Sequence, residues 1–288
     1  MDDNRIVVRI GTRGSALALK QADLVAEAIC SKNPQVECVK KIIVTQGDIM
    51  QKQSLTSFGG KGVFVSEIER ALSEDEIDIA VHSSKDLPME LFDGMSIAAV
   101  LKREDPRDVL VIRKGINLNK ENLIIGSSSL RRSEQIKKIY SNCILKDIRG
   151  NVPTRIEKVK FGDFDGTILA MAGLKRLNLL EDEDVNFIPF DFDSMVPAGC
   201  QGIISIEMKN NHPLRKIIES ISDEVTENIF NIERGILKSM NAGCHEPVGV
   251  LAEYTDGVFR VRLYKKYGTH EELKEFVLKK GEPWEKYI

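Results

Sequence analysis

The sequence predicts an α/β protein with a small α+β domain at its carboxyl end. Through the first two thirds of the 288 residues, short apolar runs alternate with amphipathic stretches, which is typical of βα units around a largely parallel sheet. After residue 240 the pattern becomes a polar and apolar alternation with an Asp-Gly turn at 256–257, which indicates a β-hairpin. A single hydrophobic core stops growing near this length, so more than one domain is expected.

The elements follow from these patterns in chain order. The predicted strands are 7–10, 39–45, 77–81, 96–101, 109–112, 124–126, 144–148, 166–170 and 203–207, then 248–254, 259–264 and 273–278. The predicted helices are 15–31, 63–73, 130–140, 154–161, 173–177, 213–222 and 224–240. Gly243 is expected to end the last helix in the left-handed conformation.

Composition restricts the class of partner. Apolar residues make up 42% and charged residues 30% of the chain, and the acidic start lacks the basic and apolar regions of a signal peptide. We therefore expect a cytoplasmic protein with no membrane partner. The net charge of −3 makes nucleic acid a poor candidate. The five cysteines are odd in number and form no C-x-x-C pair, which argues against disulfides and against a zinc site, so no metal is expected.

Three predicted strands are followed by the same polar arrangement. A turn rich in Gly, Ser or Asn leads into a helix start with arginine nearby, at 11–15, 126–132 and 149–155. Such turns gather at the carboxyl ends of the strands, where helix N-termini and arginines bind carboxylate or phosphate groups. The arginines of these turns predict a polyanionic ligand: Arg13, Arg131, Arg132, Arg149 and Arg155.

A solvated surface charge is the alternative for any single arginine. It fits the adjacent Arg131 and Arg132 least well, because two neighbouring cations at a helix N-terminus are unfavourable unless an anion compensates them.

A second polar feature follows the predicted strand 77–81. Residues 82–88 read His-Ser-Ser-Lys-Asp-Leu-Pro, which places Ser83, Lys85 and Asp86 at the same edge as the arginines. A carboxylate surrounded by cations stays ionised, so Asp86 is expected to be a fixed, buried anion that stabilises a cation. A cap or salt-bridge partner is the alternative for Asp86, and a satisfied core histidine is the alternative for His82.

Cys244 differs from the other cysteines in its surroundings. It lies between Gly243 and His245 in a loop joining two predicted domains, where a histidine can lower the pKa of an exposed thiol. Such a thiol can act as a nucleophile. Three of the other four cysteines, at 30, 38 and 143, are interpreted as buried apolar side chains.

Together these features resemble the hydroxymethylbilane synthase (porphobilinogen deaminase) family, from about residue 5 to residue 253. The matching segments are 9–15, 59–64, 82–88, 103–108, 127–132, 149–152, 170–176 and 243–245. So many segments in one order make chance agreement implausible.

The resemblance implies a transferase of tetrapyrrole and heme biosynthesis. Its members join four porphobilinogen molecules head to tail into hydroxymethylbilane, losing ammonia at each addition, on a dipyrromethane primer bound to cysteine through a thioether. Cys244 matches that attachment point, Phe64 matches the aromatic residue near the substrate ring, and Asp86 matches the carboxylate that stabilises an azafulvenium cation.

The remaining matches are implied to bind the acetate and propionate groups of these molecules. Cofactor binding is implied for Ser83, Lys85, Ser129, Arg131, Arg132 and Arg149. Substrate binding is implied for Arg13, Ser15, Arg155 and Arg176. The chain is expected to act on this small-molecule substrate as a monomer.

The implied fold has two periplasmic-binding-protein-like (type II) domains with a cleft between them, plus the small α+β domain. Domain 1, with the catalytic aspartate, is expected at 1–102 and 200–220, domain 2 at 103–199, and domain 3, with the cysteine loop, at 221–288. Three residues depart from the family pattern. Ser57 replaces a common lysine, Pro153 replaces Gly or Asn, and Cys200 replaces Gly or Ala.

Two other functions remain as alternatives. A non-catalytic two-lobed binding protein for a small polyanion accounts for the lobes and the arginines, but it gives Asp86 and Cys244 no role. A nucleotide-dependent enzyme is disfavoured, because neither G-x-G-x-x-G nor a Walker lysine loop follows a strand.

Overall fold

The computed structural model describes residues 5–45, 66–242 and 246–288. They divide into two compact units. Unit 1 comprises Met1–Arg103 and Ile203–Asn228, and unit 2 comprises Glu104–Gly202 and Ile229–Ile288.

The helices and strands are numbered in chain order. The strands are β1 (Ile6–Thr12), β2 (Val36–Ile42), β3 (Ile79–Ser83), β4 (Met95–Val100), β5 (Asp108–Arg113), β6 (Leu123–Gly126), β7 (Cys143–Lys146), β8 (Gly166–Ala170), β9 (Val185–Pro189), β10 (Ile204–Lys209), β11 (Val248–Thr255), β12 (Val258–Tyr267) and β13 (His270–Lys279). The α-helices are α1 (Ala16–Lys32), α2 (Ser66–Ser73), α3 (Leu130–Ile139), α4 (Val152–Lys160), α5 (Met171–Arg176), α6 (Arg215–Glu219) and α7 (Glu224–Ser239). Short 3-10 helices cover Ser84–Asp86 and Trp284–Tyr287.

Unit 1 contains a five-stranded sheet in the order β2-β1-β3-β10-β4. β1 pairs in parallel with β2 and β3, whereas β10 runs antiparallel to β3 and β4. α1 covers one face of the sheet through Val25 and Ile29, and α2 carries Ile68 and Leu72 in a second buried cluster. The 3.6-residue period of the helices supplies both apolar stripes.

Unit 2 repeats this plan in a sheet of order β7-β6-β8-β5-β9. β6 is parallel to β7 and β8, and β5 runs antiparallel to β8 and β9. Successive β5 residues point to opposite faces, so Val109 packs with α4 and α5 and Leu110 packs with α3. In each unit one strand lies between two others and runs antiparallel to both. This strand is β10, between β3 and β4, in unit 1 and β5, between β8 and β9, in unit 2. The predicted α/β class with two lobes, each built on its own five-stranded sheet, is confirmed.

The carboxyl-terminal part of unit 2 is the predicted small α+β region. β11, β12 and β13 form an antiparallel sheet in that order. Asp256 and Gly257 both have positive φ, 53° and 83°, which is the backbone that a two-residue hairpin turn requires. The Asp-Gly signal in the sequence therefore predicted this turn correctly.

The element prediction was wrong for β9 and β2. β9 was missed, because its five residues follow an acidic stretch and end at Pro189, which an edge strand tolerates. β2 begins and ends three residues before its predicted position. The predicted left-handed Gly243 lies outside the described residues and stays a prediction, and within them Asn241, after α7, has a left-handed backbone with φ 51°.

In the described ranges, no helix is long and apolar enough to cross a membrane.

Candidate active site

Unit 1 places its predicted site residues after β1 and β3. Ser15 caps α1 by accepting a hydrogen bond from the Ala18 amide at 3.3 Å, which fixes the turn that carries the half-buried Arg13. At the end of β3, the Gln21 amide nitrogen donates to Ser83 Oγ at 2.8 Å. β1 and β3 are parallel neighbours, so these side chains lie at one edge of the sheet.

Gln21 is a residue that the sequence reasoning missed. It is 3% exposed and belongs to the buried stripe of α1. A glutamine within an otherwise apolar helical stripe was the available signal, because a buried amide needs a polar partner.

Asp86 is exposed, so its expected burial was wrong. The chain leaves β3 through the 3-10 helix Ser84–Asp86, which buries Ser84 and the following Leu87. The Ser84 amide also donates to the carbonyl oxygen of Ile203 at 3.1 Å. Asp86 is therefore an outward-facing carboxylate on a turn that is anchored on both sides, with the half-buried Lys85 beside it.

A buried acid–base pair lies beneath this turn. His82 Nε2 is 2.8 Å from Glu207 Oε2, and the two residues are 8% and 0% exposed. In the described part of the chain Glu207 Oε1 has no hydrogen-bond partner. His82 is therefore a core histidine whose polar partner is Glu207, on the neighbouring strand β10.

Unit 2 buries the two adjacent arginines against one carboxylate. Arg131 and Arg132 are 4% and 8% exposed, and Asp108 is fully buried. Arg131 Nη1 lies 2.6 Å from Asp108 Oδ2, and Arg132 Nε lies 2.9 Å from Asp108 Oδ1. Burial by itself would raise the pKa of Asp108, but the two guanidinium charges outweigh it and lower that pKa below its ordinary value.

Further hydrogen bonds fix the geometry of this cluster. Arg131 donates to the carbonyl oxygen of Val196 at 2.8 Å, and Arg132 donates to that of Ile168 at 2.9 Å. The Gln201 amide nitrogen donates to Asp108 Oδ1 at 3.0 Å. The anion that the paired arginines require is therefore present within the chain, so their adjacency alone does not indicate a ligand.

The other predicted residues of unit 2 line neighbouring strand ends. Ser129 caps α3 by accepting from the Arg132 amide at 3.5 Å. Arg149 is half-buried, with its Nε 2.9 Å from Asp147 Oδ2, and Arg155 donates to the carbonyl oxygen of Gly150 at 2.8 Å.

Helix α4, which carries Arg155, begins at Val152, two residues before its predicted start. Asn151 accepts from the Thr154 amide at 3.0 Å, and Pro153 lies in the first turn, where proline is tolerated.

Arg176 ends α5 and donates to the carbonyl oxygen of Gly202 at 2.6 Å. Burial lowers the pKa of this arginine to about 10, although the charge of Glu104 partly opposes the shift. The side chain is therefore held on its own unit, close to the point where the chain leaves unit 2.

The cysteines differ in their environments. The expected burial of Cys30, Cys38 and Cys143 was wrong, because all three are only half-buried. Burial and the neighbouring Cys30 nevertheless raise the pKa of Cys38 to about 12. Cys200 is buried and has a left-handed backbone, with φ 61°.

Three positions that the sequence singled out, Ser57, Phe64 and Cys244, lie outside the described residues. Within the described ranges, no cluster of three or more His, Cys, Asp or Glu could hold a metal ion.

The structure brings the remaining residues together in two sets. Unit 1 carries Arg13, Ser15, Ser83, Lys85 and Asp86. Unit 2 carries Ser129, Arg131, Arg132, Arg149, Arg155 and Arg176. Fold and side chains define a two-lobed α/β protein whose strand ends are polar and rich in arginine.

Comparison with known proteins identifies the family. A family model described as "Porphobilinogen deaminase, dipyromethane cofactor binding domain" matches residues 8–216. The porphobilinogen deaminase of Sulfurimonas denitrificans is 42% identical over 256 residues, covering 88% of this chain and 82% of that protein. The porphobilinogen deaminase of Syntrophomonas wolfei is 44% identical over 258 residues, covering 88% and 83%. The chain belongs to the porphobilinogen deaminase family.

Solved structures show weaker similarity. An ancestral arginine-binding protein bound to arginine has a TM-score of 0.42 at 16% identity, covering 82% of this chain and 98% of that one. The periplasmic VFT2 domain of BvgS from Bordetella pertussis has a TM-score of 0.43 at 13% identity, covering 83% and 94%. Similarity of this degree carries no argument about function.

Proposed function

We propose that this chain performs the reaction of its family, joining four porphobilinogen molecules head to tail into hydroxymethylbilane with loss of ammonia. This makes it a transferase of tetrapyrrole and heme biosynthesis. The observation that carries the proposal is the match of residues 8–216 to the family's cofactor-binding domain. The non-catalytic binding protein is not favoured, because it explains neither this match nor the relatives.

The side chains of unit 2 fit a dipyrromethane cofactor. Each pyrrole of that cofactor carries an acetate and a propionate group, and carboxylates bind best to guanidinium groups. The cluster of Arg131, Arg132 and Asp108 has one surplus positive charge, and Arg149 lies half-buried at a neighbouring strand end. When bound, the cofactor supplies the primer to which the first substrate is joined. We assign its thioether attachment to Cys244 and its carboxylates to Ser83, Lys85, Ser129, Arg131, Arg132 and Arg149.

Asp86 suits the step in which ammonia leaves the substrate. Departure of ammonia from the aminomethyl group leaves positive charge delocalised over the pyrrole ring. A carboxylate held close to the ring N–H stabilises this charge as it develops, because the anion is already in place. The anchored turn of Ser84–Asp86 provides that fixed position, and its exposure leaves the Asp86 oxygens accessible to a substrate.

Substrate carboxylates are assigned to the arginines nearest the strand ends. We assign this role to Arg13, Ser15, Arg155 and Arg176, with Phe64 against the substrate ring. Arg13 and Arg155 are half-buried, which leaves part of each side chain accessible to an anionic group.

The organisation of the working protein is part of the same proposal. Domain 1 comprises 1–102 and 200–220, domain 2 comprises 103–199, and domain 3 comprises 221–288. We propose a cytoplasmic monomer that acts on a small-molecule substrate and has neither nucleic-acid nor membrane partners.

Intact mass spectrometry with peptide mapping tests the proposal. The purified chain should carry an added mass equal to two linked pyrroles on the peptide that contains Cys244, and Cys244→Ala should lack it. Cys200→Ala is the matched control and should keep the adduct, because Cys200 is buried and its backbone amide is bound to Glu233. A wild-type chain without the adduct would overturn the proposal.

A further inference from the structure

We infer that Asp108 is an internal counter-ion that holds Arg131 and Arg132 in position while no cofactor is bound. The carboxylate keeps the two guanidinium groups ready for the cofactor and leaves one positive charge for a cofactor carboxylate to neutralise. Asp108 is then a positioning residue for the family reaction. This inference rests on the proposed function of the two arginines.

The contacts of Asp108 show how it would hold both arginines at once. Each carboxylate oxygen contacts a different guanidinium group, Oδ2 at 2.6 Å from Arg131 Nη1 and Oδ1 at 2.8 Å from Arg132 Nη2. With Asp108 fully buried, removal of its charge would leave two enclosed cations without a counter-ion. Breaking a buried ion pair in this way is strongly unfavourable.

The direction of β5 explains why Asp108 lies at the same end of the sheet as the two arginines. Asp108 is the first residue of β5 and pairs with Ala170, the last residue of the antiparallel strand β8. The amino end of β5 therefore meets the carboxyl end of β8, next to α3, which carries the arginines. The next two residues of β5, Val109 and Leu110, belong to the apolar clusters on either face of the sheet, so a carboxylate there would lack these partners.

Neutral partners complete the cluster without changing its charge. Gln201 donates to Asp108 Oδ1 and also to the carbonyl oxygen of Pro106 at 2.7 Å. Since Gln201, Val196 and Ile168 contribute only dipoles, the excess of one positive charge remains. A second anion, supplied by a ligand carboxylate, is the complement that the charges of this cluster require.

Asp165 offers a matched control in the same unit. It is 5% exposed and ion-paired with two basic residues, with Oδ2 2.7 Å from Lys120 Nζ and Oδ1 3.6 Å from Arg113 Nη2. Asp165 precedes β8, so it lies at the opposite end of the strand from Ala170. Removing its charge disturbs an ion cluster away from the proposed site, although its two cations are more exposed than Arg131 and Arg132.

The test compares the melting temperature of the full chain with and without the cofactor. Asp108→Asn and Asp165→Asn are each made in the wild-type chain and in Cys244→Ala, which provides the chain without the adduct. In Cys244→Ala we expect Asp108→Asn to lower the melting temperature by about 10 °C. In the chain that carries the adduct we expect less than half of that decrease, because cofactor carboxylates replace the lost charge.

The outcomes separate a positioning role from a purely structural one. Asp165→Asn should cause the same decrease with and without the adduct. Equal decreases for Asp108→Asn would overturn the inference while leaving the proposed function intact. If Asp108→Asn folds only with the adduct, the inference is supported, and if it folds in neither form, the inference is wrong. A wild-type chain without the adduct would overturn the proposed function and this inference together.

Discussion

The two units share one sheet topology but differ in the charges at the polar edge of the sheet. In unit 1 the edge presents the exposed carboxylate of Asp86, and the buried polar groups behind it are one acid and one base, Glu207 and His82. In unit 2 the edge buries two arginines against the single carboxylate of Asp108. The same arrangement of strands therefore carries an exposed carboxylate in one unit and two buried, ion-paired arginines in the other.

This difference matches the two requirements of the proposed reaction. A growing chain of pyrroles accumulates carboxylates, which need fixed cations, and the loss of ammonia creates a transient cation, which needs a fixed anion. The division between the units is not complete, because Lys85 lies beside Asp86 in the same turn and Arg13 also belongs to unit 1.

The largest expected effect concerns the exposed carboxylate of unit 1. We expect Asp86→Asn to lower kcat by about 10²- to 10³-fold, the loss typical of removing one group that stabilises transition-state charge. Folding should be unchanged, because the Asp86 side chain is exposed. The assay is porphobilinogen consumption, with Asp93→Asn as an exposed carboxylate control from the same unit. Near-normal turnover in Asp86→Asn would remove this carboxylate from the mechanism.

The buried carboxylates of the two units should differ in their contribution to stability. Asp108→Asn in Cys244→Ala leaves two buried cations uncompensated, so we expect the free energy of unfolding to fall by about 3 to 5 kcal/mol. Glu207→Gln keeps an oxygen that can accept a hydrogen bond from the single histidine and loses only the charge of the carboxylate, so we expect a decrease of about 1 to 2 kcal/mol. Urea denaturation measures both values. Equal decreases would show that the two buried carboxylates do not differ as the contacts suggest.

The stabilisation that Asp108 provides should also depend on pH. The pKa of Asp108 is lowered in the folded chain, so its ionisation stabilises the fold above the ordinary carboxyl pKa of about 4 and this contribution disappears as the pH falls below it. We expect the stability difference between the parent chain and Asp108→Asn to be constant from pH 7 to about pH 4 and to shrink below. A difference that shrinks already between pH 7 and pH 5 would contradict the lowered pKa.

Removing the charge of Glu69 in unit 1 should increase stability at neutral pH, whereas removing the charge of Asp108 decreases it. Burial, and then the charge of Glu207, raise the pKa of Glu69, so the ionised form is disfavoured in the folded chain. Glu69→Gln should therefore increase the free energy of unfolding at pH 7, with no gain below pH 4, and the increase should be small because solvent screens the charge of this half-exposed group. Glutamine retains an oxygen to accept the Phe92 amide. A loss of stability at pH 7 would contradict this prediction.

The sequence predicted the fold class and the polar strand ends, because both depend on short-range patterns. Hydrophobic periodicity gave the helices and most strands, and the caps at Ser15, Ser129 and Asn151 form as their local sequences indicate. Partners distant in sequence were not predictable in the same way. Asp108 is 23 residues from Arg131, and Glu207 is 125 residues from His82. No local pattern connects such pairs, so the internal counter-ion emerges only from the fold.

The smallest expected effect compares two residues with left-handed backbones, Cys200 in unit 2 and Asp75 in unit 1, at φ 61° and 55°. This conformation strains a cysteine, whereas a short acidic side chain tolerates it. We expect Cys200→Gly to be about 1 kcal/mol more stable than Cys200→Ala, because glycine relieves the strain and both variants lose the sulfur. Asp75→Gly should gain a similar amount relative to Asp75→Ala, because alanine is strained to the same degree in this conformation at either position. Denaturation of the four variants measures these differences, and a Cys200→Ala chain at least as stable as Cys200→Gly would show that the cysteine backbone is unstrained.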